Sequence, residues 1–236
     1  MIYSALHLGI FPYNLAMEVT VIIPVYNEKD NIDTVIDNVK SVGLAQEIIV
    51  VDDFSNDGTR ELLKDKKDLK TVFHDVNMGK GAAIRSGLKN ATGDIIIIQD
   101  ADLEYSPKQY FQLIKPIKER KTRVVYGSRI LGKGNFLKTS YYANRFLTLM
   151  TNVLFCSHIT DMETCYKVMT TELMRNLQLV SSRFEIEPEI TCKILKRREK
   201  IIEIPIKYTG RKQGKKIGLK DGIQAIWNLI KWKFKK

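Results

Sequence analysis

The chain has 236 residues, of which 44% are hydrophobic and 28% charged. That balance fits one large globular domain with its own core and excludes disordered or collagen-like chains. The formal charge of +11 is unevenly placed: residues 193–236 carry 15 basic and 3 acidic side chains, a balance of +12, which leaves −1 for everything before.

Three cysteines, Cys156, Cys165 and Cys192, never pair as C-x-x-C, so they point to neither a disulfide framework nor a zinc site, and a reducing compartment is the default. No apolar run approaches the roughly 18 residues of a membrane-spanning helix. Residues 1–17 contain no Lys or Arg, so the basic start of a signal peptide is missing. This segment is read as a disordered or loosely docked extension, with Met17 as an alternative start. From Val19 onward, short β-branched runs alternate with helical stretches: VTVIIPVY, a helix over Asn31 to Val42, EIIVVDD, a helix over Gly58 to Lys67, LKTVFH, a helix over Gly79 to Ala91, and DIIIIQD. Continuous apolar strands separated by helices predict a parallel sheet covered on both faces, a doubly wound α/β architecture. Ser106-Pro107 should open a helix running to about Lys121 and bent at Pro116. Beyond it come the strand TRVVYGSR, an apolar helix over Tyr141 to Phe155, a short segment around ETCYKVM, a helix near Glu187 to Arg197, the strand KIIEIPIKY, the basic loop GRKQGKKIG and a last amphipathic helix.

In such sheets ligands sit at the carboxyl ends of the strands, and polar residues gather there. Asp100, Asp102 and Glu104 follow an apolar strand and, in an extended loop, would alternate onto one side. Such a set suits Mg²⁺ or Mn²⁺, and it serves equally to cap the helix that follows. Asp52 and Asp53 stand side by side at a strand end; capping explains Ser55 and Asp57 nearby but leaves this pair over, available to a base or a ribose. Gly79 and Gly81 flank Lys80 before a helix and would let backbone N–H groups approach a phosphate.

Taken together, VIIPVYNE, VVDDFSNDGT, NMGKGAAIRSG, GDIIIIQDADLE, YGSR, TDMETCYKV, FEIEPEI and EIPIKYTGRKQGKKI resemble the family 2 glycosyltransferases, over about Glu18 to Gly222. The nearest branch includes dolichol-phosphate mannose synthase and bacterial polyprenyl-phosphate sugar transferases. The resemblance implies the single-domain, Rossmann-like GT-A fold over residues 18–218, followed by a basic amphipathic helix over 219–236. It places Pro24, Tyr26, Glu28, Asp53, Lys80 and Asp100 around a GDP- or UDP-sugar. It puts a divalent cation on Asp102 with Asp100 and Glu104 beside it, and donor or acceptor phosphates on Arg129, Arg211, Lys215 and Lys216. Glu163-Thr164-Cys165-Tyr166-Lys167 departs from the small-residue pair and Phe usual before this lysine, and leaves the acceptor open.

The implied reaction is an inverting, metal-dependent transfer of a sugar to a polyprenyl phosphate. An ionised phosphate needs positioning more than a base, whereas a glycan hydroxyl, the alternative acceptor, needs one, and Asp161 is the candidate. A non-catalytic basic membrane protein is the reading from another class, and nucleic acid is a poor fit because no base-reading motif accompanies the basic tail. Ile223, Ile226, Trp227, Ile230 and Phe234 recur at helical spacing beside lysines, which suits an anionic membrane surface or a core-facing last helix. The expectation is a peripheral protein at the cytoplasmic face, with room for a separate membrane-protein partner. His7, His74 and His158 read as structural.

Overall fold

The computed structural model describes residues 17–210 and 219–235, apart from the side chains of residues 219–221 and 223. The expectations for residues 1–16 and for the loop with Arg211, Lys215 and Lys216 lie outside the described residues. Met17 is partly buried and packs on the core.

Seven strands form one sheet in the order β3-β2-β1-β4-β6-β5-β7: β1 is Val19–Val25, β2 Glu47–Asp52, β3 Lys70–Phe73, β4 Ile95–Ile98, β5 Val124–Ser128, β6 Lys167–Thr170 and β7 Ile201–Pro205. The pairs β1–β2, β1–β4, β2–β3 and β5–β7 are parallel. Strand β6 is antiparallel to both of its neighbours. The Val and Ile runs of β1 and β4 are buried throughout, as expected for strands covered on both faces. Each such side chain contributes about 1.5–3 kcal/mol by leaving water.

The flanking helices are α1 (Ile32–Ser41), α2 (Thr59–Lys64), α3 (Lys80–Asn90), α4 (Tyr110–Lys118), α5 (Lys138–Phe155), α6 (Thr171–Asn176), α7 (Ile186–Lys196) and α8 (Leu219–Phe234). A 3₁₀ turn over Pro107–Gln109 leads into α4, which runs through Pro116 and stops three residues short of the expected end at Lys121. Helix α6 was not expected; Thr170 caps it by accepting a hydrogen bond from the Leu173 N–H.

The reversed direction of β6 positions the site. Its first residue, Lys167, lies opposite Tyr126 near the carboxyl end of β5, so the segment 160–167 arrives at the same edge as the loops leaving β1, β2 and β4. A second, smaller core joins α5, α7 and α8 through Leu147, Met162, Cys192, Ala225, Leu229 and Trp232. Helix α8 therefore has both faces that the sequence left open: Leu229 and Trp232 are buried, while Trp227, Ile230 and Phe234 are exposed.

Candidate active site at the carboxyl edge of the sheet

Three non-glycine residues take left-handed backbone at this edge: Asn27 after β1 (φ 50°), Phe54 after β2 (φ 68°) and Leu103 after β4 (φ 63°). Such conformations are uncommon outside glycine and gather at functional sites, where surrounding bonds hold them. Here the loops after β1 and β2 lock each other, the Asn27 N–H donating to Ser55 Oγ (2.9 Å) and the Asn56 N–H to Asn27 Oδ1 (2.9 Å).

The adjacent carboxylates of Asp52 and Asp53 divide two structural tasks. Buried Asp52 accepts from Arg60 Nε at 2.7 Å. Asp53 accepts from the N–H groups of Met78 (2.8 Å) and Gly79 (2.7 Å), and its Oδ1 lies 2.7 Å from His74 Nδ1. The sequence-based reading of Asp53 as a nucleoside contact thus meets a buried carboxylate committed to holding the 77–80 loop. His74 is structural as expected, bridging Asp53 and Ser86 Oγ (2.9 Å). Pro24 is buried within β1, Tyr26 is half-buried, and Glu28, 8% exposed, accepts from Asn31 Nδ2 at 2.8 Å.

The glycines serve a close approach of backbone, not an open phosphate cradle. A Cβ on Gly79 would stand 2.4 Å from the Ser182 carbonyl oxygen, and one on Gly81 2.5 Å from that of Ser181. The Gly79 N–H is already given to Asp53, and the Ala82 N–H to Ser182 O at 3.0 Å.

Lys80 does not project freely toward a ligand. Its Nζ pairs with Asp100 Oδ1 (2.7 Å) and Glu187 Oε1 (3.0 Å), while the other Glu187 oxygen pairs with Lys167 Nζ at 2.5 Å. Burial works against the Lys80 ammonium, but Asp100 and Glu187 outweigh it and hold its pKa well above the ordinary lysine value. Glu187 and Lys167 are the residues that sequence reasoning passed over, although both lie in the quoted motifs FEIEPEI and TDMETCYKV.

The expected trio of Asp100, Asp102 and Glu104 does not converge. Among the described residues, no group of three His, Cys, Asp or Glu side chains is set to hold a metal ion. The reason is local: left-handed Leu103 breaks the strict alternation of an extended loop. Asp100 is tied to Lys80, Glu104 accepts from Tyr208 Oη at 2.7 Å, and half-buried Asp102 receives the Glu104 N–H at 3.1 Å. The residues still fit a hard cation in its commonest enzymatic form, one or two carboxylates with the rest of the shell drawn from substrate phosphates and water. Asp102 and, two residues before it in the same loop, Asp100 would be the residues to hold it.

Arg129 lies across Tyr208, its guanidinium carbon 5.1 Å from the ring centroid, and Tyr208 in turn holds Glu104. Its Nε and Nη2 donate to Asp161 Oδ2 (2.8 Å) and Oδ1 (2.7 Å), and its own N–H adds a third bond to Oδ2 (2.9 Å). Asn144 on α5 also donates to Asp161 Oδ1 (2.8 Å), and Asp161 is fully buried. Burial works to raise the Asp161 pKa, but the charge and hydrogen bonds of Arg129 prevail and hold it below the ordinary carboxylate value. Glu203 on β7 fixes the loop from behind by accepting from the Thr160 (2.8 Å) and Asp161 (3.2 Å) N–H groups. A carboxylate so enclosed positions Arg129 and is poorly placed to take a proton from a substrate.

Solved structures share this architecture. Glucosyl-3-phosphoglycerate synthase from Mycobacterium tuberculosis, in complex with Mn²⁺, UDP-glucose and phosphoglyceric acid, superposes with a TM-score of 0.74 at 19% identity over 92% of this chain and 80% of that one. Mannosyl-3-phosphoglycerate synthase from Rubrobacter xylanophilus gives 0.74 at 19% identity, over 92% and 73%. The fold is thus a GT-A one, with a mostly parallel seven-stranded sheet and flanking helices. The chain belongs to glycosyl transferase family 2, whose profile matches residues 20–177, and it is a glycosyltransferase.

Among curated relatives, the dolichol-phosphate mannosyltransferase of Pyrococcus furiosus is 29% identical over 230 residues, covering 92% of this chain. The chain spans only 64% of that relative's length. The UDP-N-acetylglucosamine:dolichyl-phosphate N-acetylglucosaminyltransferase of Methanococcus voltae is 28% identical over 241 residues, covering 91% of this chain and 96% of its own.

Proposed function

We propose that the protein transfers a sugar with inversion from a GDP- or UDP-sugar to a polyprenyl phosphate. The observation that carries this reading is the Arg129–Asp161 pair, a cation fixed in a nearly dry setting at the edge that also bears Asp102. With Nε and one Nη2 N–H given to Asp161, the remaining guanidinium N–H groups, on Nη1 above all, are held in a fixed direction and can donate to a phosphate oxygen. The names of the two relatives at 28–29% identity, which specify dolichol phosphate or dolichyl phosphate, support the same acceptor.

Asp102, with Asp100 beside it, would hold a Mg²⁺ or Mn²⁺ ion, which when bound stabilises the charge that builds on the departing diphosphate by several kcal/mol. Lys80 keeps Asp100 in place and offsets its charge. Tyr26 and Glu28 line the approach for the nucleoside, and Asp53 shapes that approach through the 77–80 loop. Arg211, Lys215 and Lys216 remain proposed phosphate contacts. Labelled nucleotide sugar, divalent metal and polyprenyl phosphate should yield a product extractable into organic solvent, and its absence with every donor would overturn the reading. Nucleoside diphosphate should bind more weakly in chelator, and Asp102→Asn should remove that difference.

A membrane surface is the proposed partner, with the protein lying at the cytoplasmic face. No described helix is long and apolar enough to cross a membrane. Helix α5, however, exposes Tyr142, Phe146, Leu149 and Val153 at helical spacing, and α8, packed against it, exposes Trp227 and Phe234. Lys231 and Lys233 in the last turn of α8 and Lys235 just after it are exposed, the composition that favours an anionic interface.

A further inference from the structure

Most carboxylates at the carboxyl edge are committed to protein partners. Asp52 holds Arg60, Asp53 the 77–80 loop, Asp100 Lys80, Asp161 Arg129, Glu187 both lysines and Glu203 the Thr160 backbone. Glu104 and Asp102 accept from Tyr208 and from backbone. Glu163 differs, because its Oε1 is buried with no hydrogen-bond partner and no ion pair satisfies it among the described residues.

Burying a carboxyl oxygen unpaired is costly, and a site retains such a group where a substrate supplies the partner. Along the chain Glu163 lies between residues of the two charged assemblies of the site. Asp161, which holds Arg129, precedes it by two residues in the same loop. Lys167 of β6, joined to Glu187 of α7, follows it by four.

We propose that Glu163 is the proton acceptor of the transfer step. Its carboxylate takes the proton from the acceptor oxygen as that oxygen bonds to the anomeric carbon. The bond from that carbon to the diphosphate breaks, its electron pair leaves with the nucleoside diphosphate, and the carboxyl later returns its proton to water. The inference rests on the sugar-transfer reading and deepens it by naming the substrate class: an acceptor whose attacking oxygen still carries a proton, either a hydroxyl or a singly protonated phosphate.

The electrostatics match the task. Burial, with Glu187 and Asp161 nearby, raises the Glu163 pKa to about 7 against the opposing pull of Lys167 and Arg129. A general base is most effective with its pKa near the working pH. Glu163 as a whole is half-buried, whereas Asp161 is fully buried and is held below the ordinary carboxylate range, which makes it the weaker base.

The test compares the unaltered protein with Glu163→Gln and Glu163→Asp. It follows kcat/KM between about pH 5 and about pH 9, with polyprenyl phosphate and, in parallel, with a polyprenyl-linked sugar that offers hydroxyls as acceptors. The unaltered protein should gain activity as pH rises through about 7. Glu163→Gln should lose about 10²-fold or more and lose that rise, with nucleoside diphosphate affinity kept as the sign of an intact site, while Glu163→Asp should retain the rise at reduced rate. Turnover of the hydroxyl acceptor alone, with the same Glu163 dependence, would reject the polyprenyl phosphate reading and support the proton acceptor. Glu163→Gln that keeps the rise, or keeps full activity, overturns the proposal. Infrared titration reads the same group without any acceptor: a carboxyl band disappearing as pH rises through about 7 and missing in Glu163→Gln supports it, and no such band overturns it.

Discussion

Asp161 and Arg129 form a two-pronged ion pair, 2.8 and 2.7 Å long, between a fully buried carboxylate and an arginine that is 9% exposed. A pair of this kind adds little net stability over an apolar replacement, yet breaking it strands a buried charge. It does fix the direction in which the guanidinium points. Asp161→Asn should therefore lower stability by about 3 kcal/mol or more in denaturant unfolding. It should also reduce transfer to phosphate and hydroxyl acceptors alike. Loss confined to the hydroxyl acceptor would instead return the role of base to Asp161.

The pH behaviour of the same pair is separable from that of Glu163. A carboxylate whose folded pKa is depressed contributes stability above its unfolded pKa of about 3.9, and that contribution is lost as pH falls through the lower folded value. Unfolding midpoints should thus show no Asp161-dependent change from about pH 5 upward, and the difference between the unaltered protein and Asp161→Asn should shrink only in strong acid.

Glu187 joins two lysines, and Lys167 is entirely buried. Glu187→Gln leaves two cations facing each other without their shared counter-charge, which should cost about 3 kcal/mol or more. Equilibrium unfolding checks this, and a cost below about 1 kcal/mol would show that the bridge contributes little.

Gly79 has a φ of +94° and its missing Cβ would fall 2.4 Å from a backbone oxygen that has nowhere to move. With ψ at 162° as well, Gly79 occupies a backbone region essentially confined to glycine, so Gly79→Ala should destabilise the protein by more than about 1 kcal/mol. It should also disturb the Asp53 clamp, so nucleoside diphosphate affinity should fall with it. Unaltered affinity in a folded variant would separate the clamp from the donor site.

For the membrane face, removal of α8 is a poor probe because Leu229 and Trp232 are core residues. Substitutions confined to the exposed stripe, Phe146→Ser with Val153→Ser or Trp227→Ser with Phe234→Ser, should reduce cosedimentation with anionic vesicles and leave detergent activity unchanged. Each lysine near the surface contributes about 1 kcal/mol, so binding should also weaken as salt rises. Equal vesicle binding by the variants would assign this stripe no membrane role.

The architecture was legible because strand and helix periodicity are local signals. The Val and Ile runs of β1, β2 and β4 announce buried parallel strands, and acidic residues follow each at the ligand-binding edge. The sequence alone thus determined the α/β class, the edge at which the site lies, and the family that its motifs resemble. It also marked Asp102, Arg129 and Asp161.

Which of these residues meet was decided by tertiary structure. The reversal of β6 brings residues 160–167 beside loops more than fifty residues earlier, and no local pattern encodes that pairing. The same holds for Lys80 with Glu187, for Gly79 with Ser182, and for Tyr208 with Glu104. A sequence shows where a carboxylate stands along the chain. Whether it is clamped like Asp53, paired like Asp161 or left unpartnered like the Glu163 Oε1 depends on donors supplied by distant segments and on how much water the packing excludes.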